Sequence, residues 1–108
     1  MPYIAPELRK SLDPHIDQLA QAIVDQTNRI EGDATYAGLL NYACTRLALK
    51  IIKLKFGKIR YWIIATTTGV FKNVADEFYR RIGIPYENIQ ISKHGDVDLY
   101  EEFKTHLK

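Results

Sequence analysis

The stretch from Tyr36 to Phe56, YAGLLNYACTRLALKIIKLKF, decides the fold predicted for this chain. Its apolar residues recur at helical spacing, and Gly57 follows where a left-handed helix cap belongs. One flank carries Tyr36, Leu40, Ala43, Leu47, Ile51 and Leu54, and the other carries Tyr42, Ala48, Leu49, Ile52 and Phe56. Only a narrow stripe of Arg46, Lys50 and Lys53 is left to face solvent. A helix that is apolar almost all round is typical of a core, so we expect residues 36 to 56 to be the central helix, sandwiched by neighbours.

A first helix is predicted ahead of this stretch, over residues 14 to 31. Asp13 can accept hydrogen bonds from first-turn amides, and Pro14 at the first helical position loses no needed donor. Apolar residues then recur at steps of three and four as far as Ile30, and Gly32-Asp33 ends the helix. Residues 6 to 10 can add a short helical turn before Asp13.

A third helix is predicted over residues 60 to 82, although residues 62 to 68 are rich in β-branched side chains and also suit a buried strand. The periodicity favours a helix, because six residues from Ile64 to Ile82 step by three or four along one face. We expect Gly83 to cap this helix and Pro85 to stop any continuation.

The remainder is predicted to be a small β-hairpin or an extended segment. Ile89 and Ile91 alternate as in a short strand, residues 93 to 96 supply a turn, and Val97 and Leu99 alternate in the same way. Residues 99 to 107 can be helical instead. The predicted fold is therefore mainly α, a single domain over residues 1 to 108 with three principal helices followed by this hairpin.

Composition places the chain among ordinary globular proteins. It has 108 residues, of which 46% are apolar and 26% charged, and a chain of this size usually buries roughly 60 to 70% of its unfolded surface. Cys44 is the only cysteine, which excludes an intramolecular disulfide and indicates a reducing, cytoplasmic setting. The N-terminus lacks the apolar segment of a signal peptide. The longest uncharged apolar run, residues 61 to 71, is too short to cross a bilayer, so we expect no membrane association.

Charge is segregated along the sequence. Residues 34 to 75 hold seven bases and no acid, whereas the first 33 residues hold three bases and six acids, and the last 33 hold five bases and seven acids. The net charge of +2 therefore hides a positive middle between two negative ends. Such a pattern suits a homo-oligomer in which the middle of one copy meets the ends of another.

The same cations allow a different partner. The basic patch of Arg46, Lys50, Lys53, Lys58 and Arg60 can contact the phosphates of a nucleic acid or of a smaller ligand, with Tyr61 and Trp62 beside it for base stacking. The same residues can equally be a solvated helix face whose lysine stems cover apolar surface.

Two further groups of polar residues are candidates for ligand binding. Glu77 lies within helical reach of Arg80 and Arg81, either as a structural ion pair or as the carboxylate that orients an arginine toward a phosphate. Asn41 and Thr45 lie one turn apart on an otherwise apolar helix, where we expect the amide and the hydroxyl to be buried and to need partners. They either satisfy a neighbouring loop or bind something.

Other sites and chemistries have little support. His94 lies close to Asp96 and Asp98, but turn chemistry explains this segment without a metal. Cys44 lies within an apolar helix, which indicates an inert thiol. The chain has no phosphate-binding glycine loop, and we expect no cofactor.

Four pieces of the sequence resemble a small uncharacterised family found in bacterial and phage genomes, a domain of unknown function. They are residues 38 to 42 with Thr45 (GLLNY), 77 to 81 (EFYRR), 85 to 87 (PYE) and 95 to 97 (GDV), and they all lie between residues 38 and 97. Residues 98 to 108 depart from the family pattern. The resemblance brings no activity with it, but it marks the following as the polar residues of interest: Asn41, Thr45, Glu77, Arg80, Arg81, Tyr86, Glu87 and Asp96.

The sequence therefore favours a binding or assembly module that associates with itself through a basic central helix and acidic ends. The alternatives are a protein that binds a phosphate ligand or a nucleic acid through the basic patch, and a metal-dependent enzyme acting on nucleotides. In the enzyme, Glu77 and Asp96 would hold the metal and Arg80 would clamp the phosphate.

Overall fold

The structure, a computed structural model that describes residues 2–107, is mainly helical, as predicted. In chain order the elements are α1 (Pro6–Arg29), α2 (Thr35–Phe56), α3 (Tyr61–Phe78), a π-helical turn (Tyr79–Gly83), α4 (Ile84–His94) and α5 (Asp98–Lys104). No strand occurs among the residues described.

Helix α1 begins at Pro6, eight residues before the predicted start. Pro6 takes the first-turn position that a proline tolerates well, and the residues after it include strong helix formers such as Glu7, Leu8 and Lys10. Pro14 therefore lies inside the helix, where it removes one backbone hydrogen bond without ending it. The prediction that Asp13-Pro14 starts the helix is wrong, because the upstream segment provides a better start.

Helices α2 and α3 confirm the central part of the prediction. Helix α2 ends at Phe56, and Gly57 adopts the left-handed conformation at φ 74°, with its N–H directed at the carbonyls of Ile52 and Lys53. The β-branched residues 62 to 68 are helical within α3, as their periodicity indicated.

The predicted hairpin is wrong, because residues 84 to 94 form α4. Gly83 has φ −65° and continues the helical path from the π-helical turn, so it is not the cap we expected. Pro85 lies in the first turn of α4 and, having no N–H, donates no hydrogen bond back to the π-helical turn, yet the helical path continues through it. The helix ends instead at Gly95, which has φ 87° and whose N–H donates to the carbonyl of Ile91. Two alternating isoleucines are too few to distinguish a strand from a helix.

The contacts divide the chain into two compact units, Met1–Gly69 and Val70–Lys108. In the first unit α1 packs against α2, and the rings of Phe56 and Trp62 meet edge to face at 5.3 Å where α2 gives way to α3. In the second unit the π-helical turn adjoins α4. The single-domain organisation expected from chain length stays a prediction.

Burial is sparse, and the expectation that α2 is an innermost helix is wrong. Among the residues described, only Ile52 of α2 and Ile63 of α3 are buried hydrophobic residues. A helix that is apolar all round needs neighbours on every side to be covered. In the first unit α1 covers one strip of α2, which leaves both of its apolar flanks largely open to solvent.

Candidate functional site: the exposed faces of α2

One flank of α2 presents a row of large apolar side chains to solvent. Its five large side chains are each about half exposed or more: Tyr36 56%, Leu40 48%, Leu47 53%, Ile51 54% and Leu54 75%. Single exposed apolar residues are common on protein surfaces, but contiguous apolar patches usually mark a binding surface. This flank is therefore the first candidate for a functional surface.

An apolar groove adjoins this flank, between α1 and α2. It has a volume of about 500 Å³. Its walls come from both helices and include Leu19, Ala22, Ile23, Gln26, Leu39, Tyr42, Ala43, Arg46, Leu47 and Lys50. Because Ala43 and Leu47 line the groove and also belong to this flank, the two apolar features are continuous.

The basic patch predicted from the sequence lies in the first unit. Arg46, Lys50 and Lys53 stand on one side of α2, where they line a shallow depression of about 250 Å³ together with Tyr42, Thr45 and Leu49. Lys58 and Arg60 fall in the short connection between α2 and α3, and both are exposed.

Asn41 and Thr45 lie on α2 and are exposed, so the expectation of a buried amide and hydroxyl is wrong. The Thr45 hydroxyl donates to the carbonyl of Asn41, one turn earlier, at 2.8 Å, and lies 3.4 Å from its side-chain oxygen. The helix itself therefore satisfies the hydroxyl, with no help from a neighbouring loop.

The remaining predicted residues belong to the second unit. Arg80 forms an ion pair with Glu77, with Nη2 2.5 Å from Oε1, at the junction of α3 and the π-helical turn. Arg81 follows within that turn, and Tyr86 is 62% exposed on α4. The Glu77–Arg80 pair has the helical spacing that the sequence indicated.

Glu87 takes part in a contact that sequence reasoning missed. Its Oε2 accepts a hydrogen bond from the Tyr79 hydroxyl at 2.7 Å, across eight residues. Gly83 lies between them, and a Cβ added there would meet the Tyr79 ring, 2.7 Å from Cε2 and closer still to Cδ2. Tyr79, Gly83 and Glu87 are spaced four residues apart, which places them on one face only if the helix continues through Gly83. We had predicted that the helix ends there, so the spacing was not recognised.

Asp96 is held by two partners at the start of α5. Its Oδ2 lies 3.1 Å from Lys104 Nζ, and its Oδ1 accepts from the backbone N–H of Val97 at 2.7 Å. The carboxylate side chain is only 8% exposed. The hydrogen bond from Lys104, followed by that from Val97, lowers the pKa of Asp96 below its ordinary value. The sequence analysis did not predict this pair. It treated residues 97 to 99 as extended, and an extended segment would carry Lys104 away from Asp96.

The metal-dependent enzyme considered as an alternative from the sequence assigned Glu77 and Asp96 to a metal ion. Over residues 2–107, no group of three or more His, Cys, Asp or Glu side chains is arranged to hold a metal ion. Glu77 and Asp96 instead contact Arg80 and Lys104.

Comparison with known proteins identifies a family but no relative of known activity. No curated protein and no solved structure matches the chain. No helix in the part of the chain described here has the length and apolar character needed to span a membrane. The model of a family described as a domain of unknown function (DUF6899) matches residues 1–97, which leaves α5 outside the match. The chain therefore belongs to the DUF6899 family, in agreement with the resemblance found in its sequence.

Proposed function

We propose that this protein is a non-enzymatic assembly module that binds further copies of itself, through basic α2 and the acidic segments nearer the chain ends. The single observation that supports this most is the row of large apolar side chains left exposed on α2. Covering apolar surface is the main favourable contribution to association, at roughly 25 cal/mol per Å².

The exposure of large apolar side chains within the first unit supports a partner. On α2, Tyr36, Leu40, Leu47, Ile51 and Leu54 are between 48% and 75% exposed. A typical stable interface takes roughly 800 Å² from each partner, and its centre is more apolar than the rest of the surface. A row of large apolar side chains along one helix can supply such a centre.

Charge segregation favours a second copy over an unrelated partner. Helix α2 carries four cations and no acid, and all four lie in its second half. The acids that would complement them, such as Glu31 and Asp33, are present in the same chain and are exposed. A second copy therefore brings both the apolar surface and the opposite charge. We place this assembly in the cytoplasm, as the lone Cys44 indicates.

Sedimentation velocity over a wide range of protein concentration, in low and in high salt, tests the proposal. We expect the weight-average mass to rise with concentration toward a defined multiple of the monomer. Raised salt should weaken the association in part, because it screens the charges but not the apolar contact. A strictly monomeric species at every concentration in low salt would refute self-association.

A second candidate function is binding of nucleic acid through the basic patch. The observation that favours it is the alignment of Arg46, Lys50 and Lys53 along one depression that Tyr42 also lines. A cationic row beside an aromatic ring is the usual arrangement for contacting phosphates and stacking on a base.

Filter binding of single-stranded DNA at two ionic strengths tests this second function. Binding should weaken steeply as salt rises, and the triple variant R46Q/K50Q/K53Q should lose it. The matched control K10Q/K72Q/K93Q removes the same charge from other helices and should retain most of the binding. Weak retention at both ionic strengths, or equal loss in both variants, would exclude the basic patch as a nucleic-acid site.

A further inference from the structure

The exposed flank of α2 has the spacing of a coiled-coil seam. The row Tyr36, Leu40, Ala43, Leu47, Lys50 and Leu54 follows this flank, with Lys50 in place of its neighbour Ile51, and it alternates in steps of four and three without a slip. That repeat of 3.5 residues keeps one row of side chains facing a partner helix along the whole length of a helix. Helix α2 has 22 residues and is about 33 Å long, and the seam positions from 36 to 54 span about 27 Å of it.

We propose that α2 pairs with α2 of a second copy in an antiparallel two-helix seam, related by a two-fold axis near Thr45. The inference rests on the proposed self-association and specifies its geometry. In this register a residue of one copy faces the residue of the other copy for which the two residue numbers add up to 90. Tyr36 then faces Leu54 of the other copy, Leu40 faces Lys50, and Ala43 faces Leu47.

The side chains at these levels are complementary in size. The small Ala43 faces the larger Leu47 on each side of the axis, which allows the backbones to approach closely at the centre. Tyr36 and Leu54, which are 56% and 75% exposed in the single chain, cover one another at both ends. The stem of Lys50 can lie along Leu40 with its ammonium group in water. A single lysine within an apolar seam also sets the register.

Charge selects the antiparallel direction. The cations of α2 are Arg46, Lys50, Lys53 and Lys55, all in its second half, and its first half is uncharged. A parallel pair would place these four cations beside the same four, and Lys50 directly against Lys50. The antiparallel pair places the cationic half beside the uncharged half, and it also opposes the two helix dipoles.

The antiparallel register also brings acids to the cationic end. Glu31 and Asp33 lie just before α2, in the turn that follows α1. This register places Lys55 of one copy opposite Thr35 of the other and Lys58 opposite Gly32, so the two lysines approach the neighbouring Asp33 and Glu31. All four residues are exposed in the single chain and stand free to pair across the axis.

The groove beside the seam fits the same arrangement. Ala43, Leu47 and Lys50 line both the seam and the groove of about 500 Å³ between α1 and α2. A helix laid along the seam would therefore lie partly over this groove. The result is a four-helix layer formed by α1 and α2 from each copy.

Disulfide trapping between singly substituted chains tests the geometry, in a C44S background that leaves each chain with one chosen thiol. One chain carries Y36C and the other L54C. In the antiparallel register the two thiols face each other, whereas two copies of residue 36 are about 27 Å apart along the seam, at 1.5 Å per residue. We expect at least fivefold more cross-linked dimer when the two chains are mixed than when either is oxidised alone.

A second pair and a control make the result decisive. The pair L40C and K50C should behave in the same way, and it leaves both ends of the seam intact in case Y36C weakens folding. The control replaces L54C with L49C, which lies on the opposite flank of α2 and should not cross-link to Y36C. Circular dichroism confirms that each variant is helical.

The possible outcomes separate the antiparallel seam from self-association itself. If each variant forms a cross-linked dimer when it is oxidised by itself, and the mixture of the two variants does not, the helices pair in parallel and the antiparallel proposal is overturned. Association by sedimentation without cross-linking of either pair would overturn the α2 seam and leave self-association standing. A monomer by sedimentation would remove both.

Discussion

The Tyr79 hydroxyl donates a hydrogen bond to Glu87 Oε2 at 2.7 Å, and the tyrosine ring lies over Gly83, which is midway between the two residues in the sequence. The three residues follow one another at four-residue intervals through the π-helical turn and into α4. Gly83 has helical φ and ψ angles, so its role is steric: a side chain at this position would occupy the space of the ring.

Replacement of Gly83 with alanine should displace the Tyr79 ring. Alanine normally stabilises a helix interior by roughly 0.5–1 kcal/mol over glycine. At Gly83 the added Cβ meets the ring, so we expect no such gain from G83A. The matched control is G69A in α3, where an added Cβ meets nothing within 4 Å and the full gain is expected. Urea unfolding followed by circular dichroism measures both; an equal gain in the two variants would show that the ring moves aside freely.

The Glu87 carboxylate should keep Tyr79 protonated to higher pH. The hydrogen bond to Glu87 is the main cause that raises the pKa of Tyr79 above its ordinary value of 10.0. Because the folded protein holds this proton more tightly, the contribution to stability is complete below pH 10 and is lost as the pH rises through the raised folded value. In E87Q the Tyr79 pKa should fall. Carbon NMR of labelled tyrosine measures it, and an unchanged midpoint in E87Q would contradict the contact.

Removal of the Lys104 amine should raise the pKa of Asp96. The hydrogen bond from Lys104 is the largest cause of the lowered pKa, and the Val97 N–H is the next. A lowered folded pKa contributes stability above the ordinary value of 3.8, and this contribution is lost as the pH falls through the folded value. In K104M we expect the Asp96 pKa to move back toward 3.8, as followed by carboxyl NMR. K93M, which removes a lysine from the end of α4, should leave it where it is.

Polar substitution on the seam should weaken self-association, whereas the same change on the other flank should not. Burying a leucine is worth roughly 1.5–3 kcal/mol, and each seam residue occurs twice in a symmetric pair. We therefore expect L54S to raise the dimer dissociation constant at least tenfold. The control L49S changes an equally exposed leucine, at 53%, on the opposite flank. Equal weakening in both variants, measured by sedimentation, would place the interface elsewhere.

Charge reversal at the two ends of the seam should convert the homodimer into an obligate heterodimer. In a homodimer of K55E/K58E, each end of the seam would hold four acids, two from each copy. In a homodimer of E31K/D33K, each end would hold four cations. In the mixture both ends again pair opposite charges, so we expect each variant to be mainly monomeric and the mixture to associate. Native mass spectrometry distinguishes the species, because the two chains differ in mass. Homodimers that survive either reversal would show that these four residues lie far from the interface.

Much of the helical fold was predictable from local patterns. Gly57 ends α2 where the sequence placed it, and the periodicity from Ile64 onward outweighed the strand propensity of the threonines in α3. Capping chemistry and helical periodicity involve residues a few positions apart, so the sequence alone reveals them. The errors arose at Pro14, Gly83 and Pro85, where each residue is compatible with a helix boundary but does not require one.

The candidate surface was predicted only in part. The apolar flank and the cationic stripe of α2 were identified from sequence, but we expected the flank to be buried. Whether an apolar face is covered depends on how many other elements reach it, and this is a property of tertiary packing. The Tyr79–Glu87 and Asp96–Lys104 contacts were not predicted either. The first needs the helical path to continue through Gly83 into α4, where we had expected a break. The second needs α5 to begin at Asp98, whereas we had expected residues 97 to 99 to be extended.

By itself the sequence determined where α2 lies, which of its faces are apolar and where its charges fall, because these follow from residue order and the helical repeat. Tertiary structure alone decided that those faces are open to solvent, since burial depends on contacts between segments that are distant in the chain. The same apolar flank that would form a core inside a larger bundle is here a surface, because the first unit supplies too few helices to cover it.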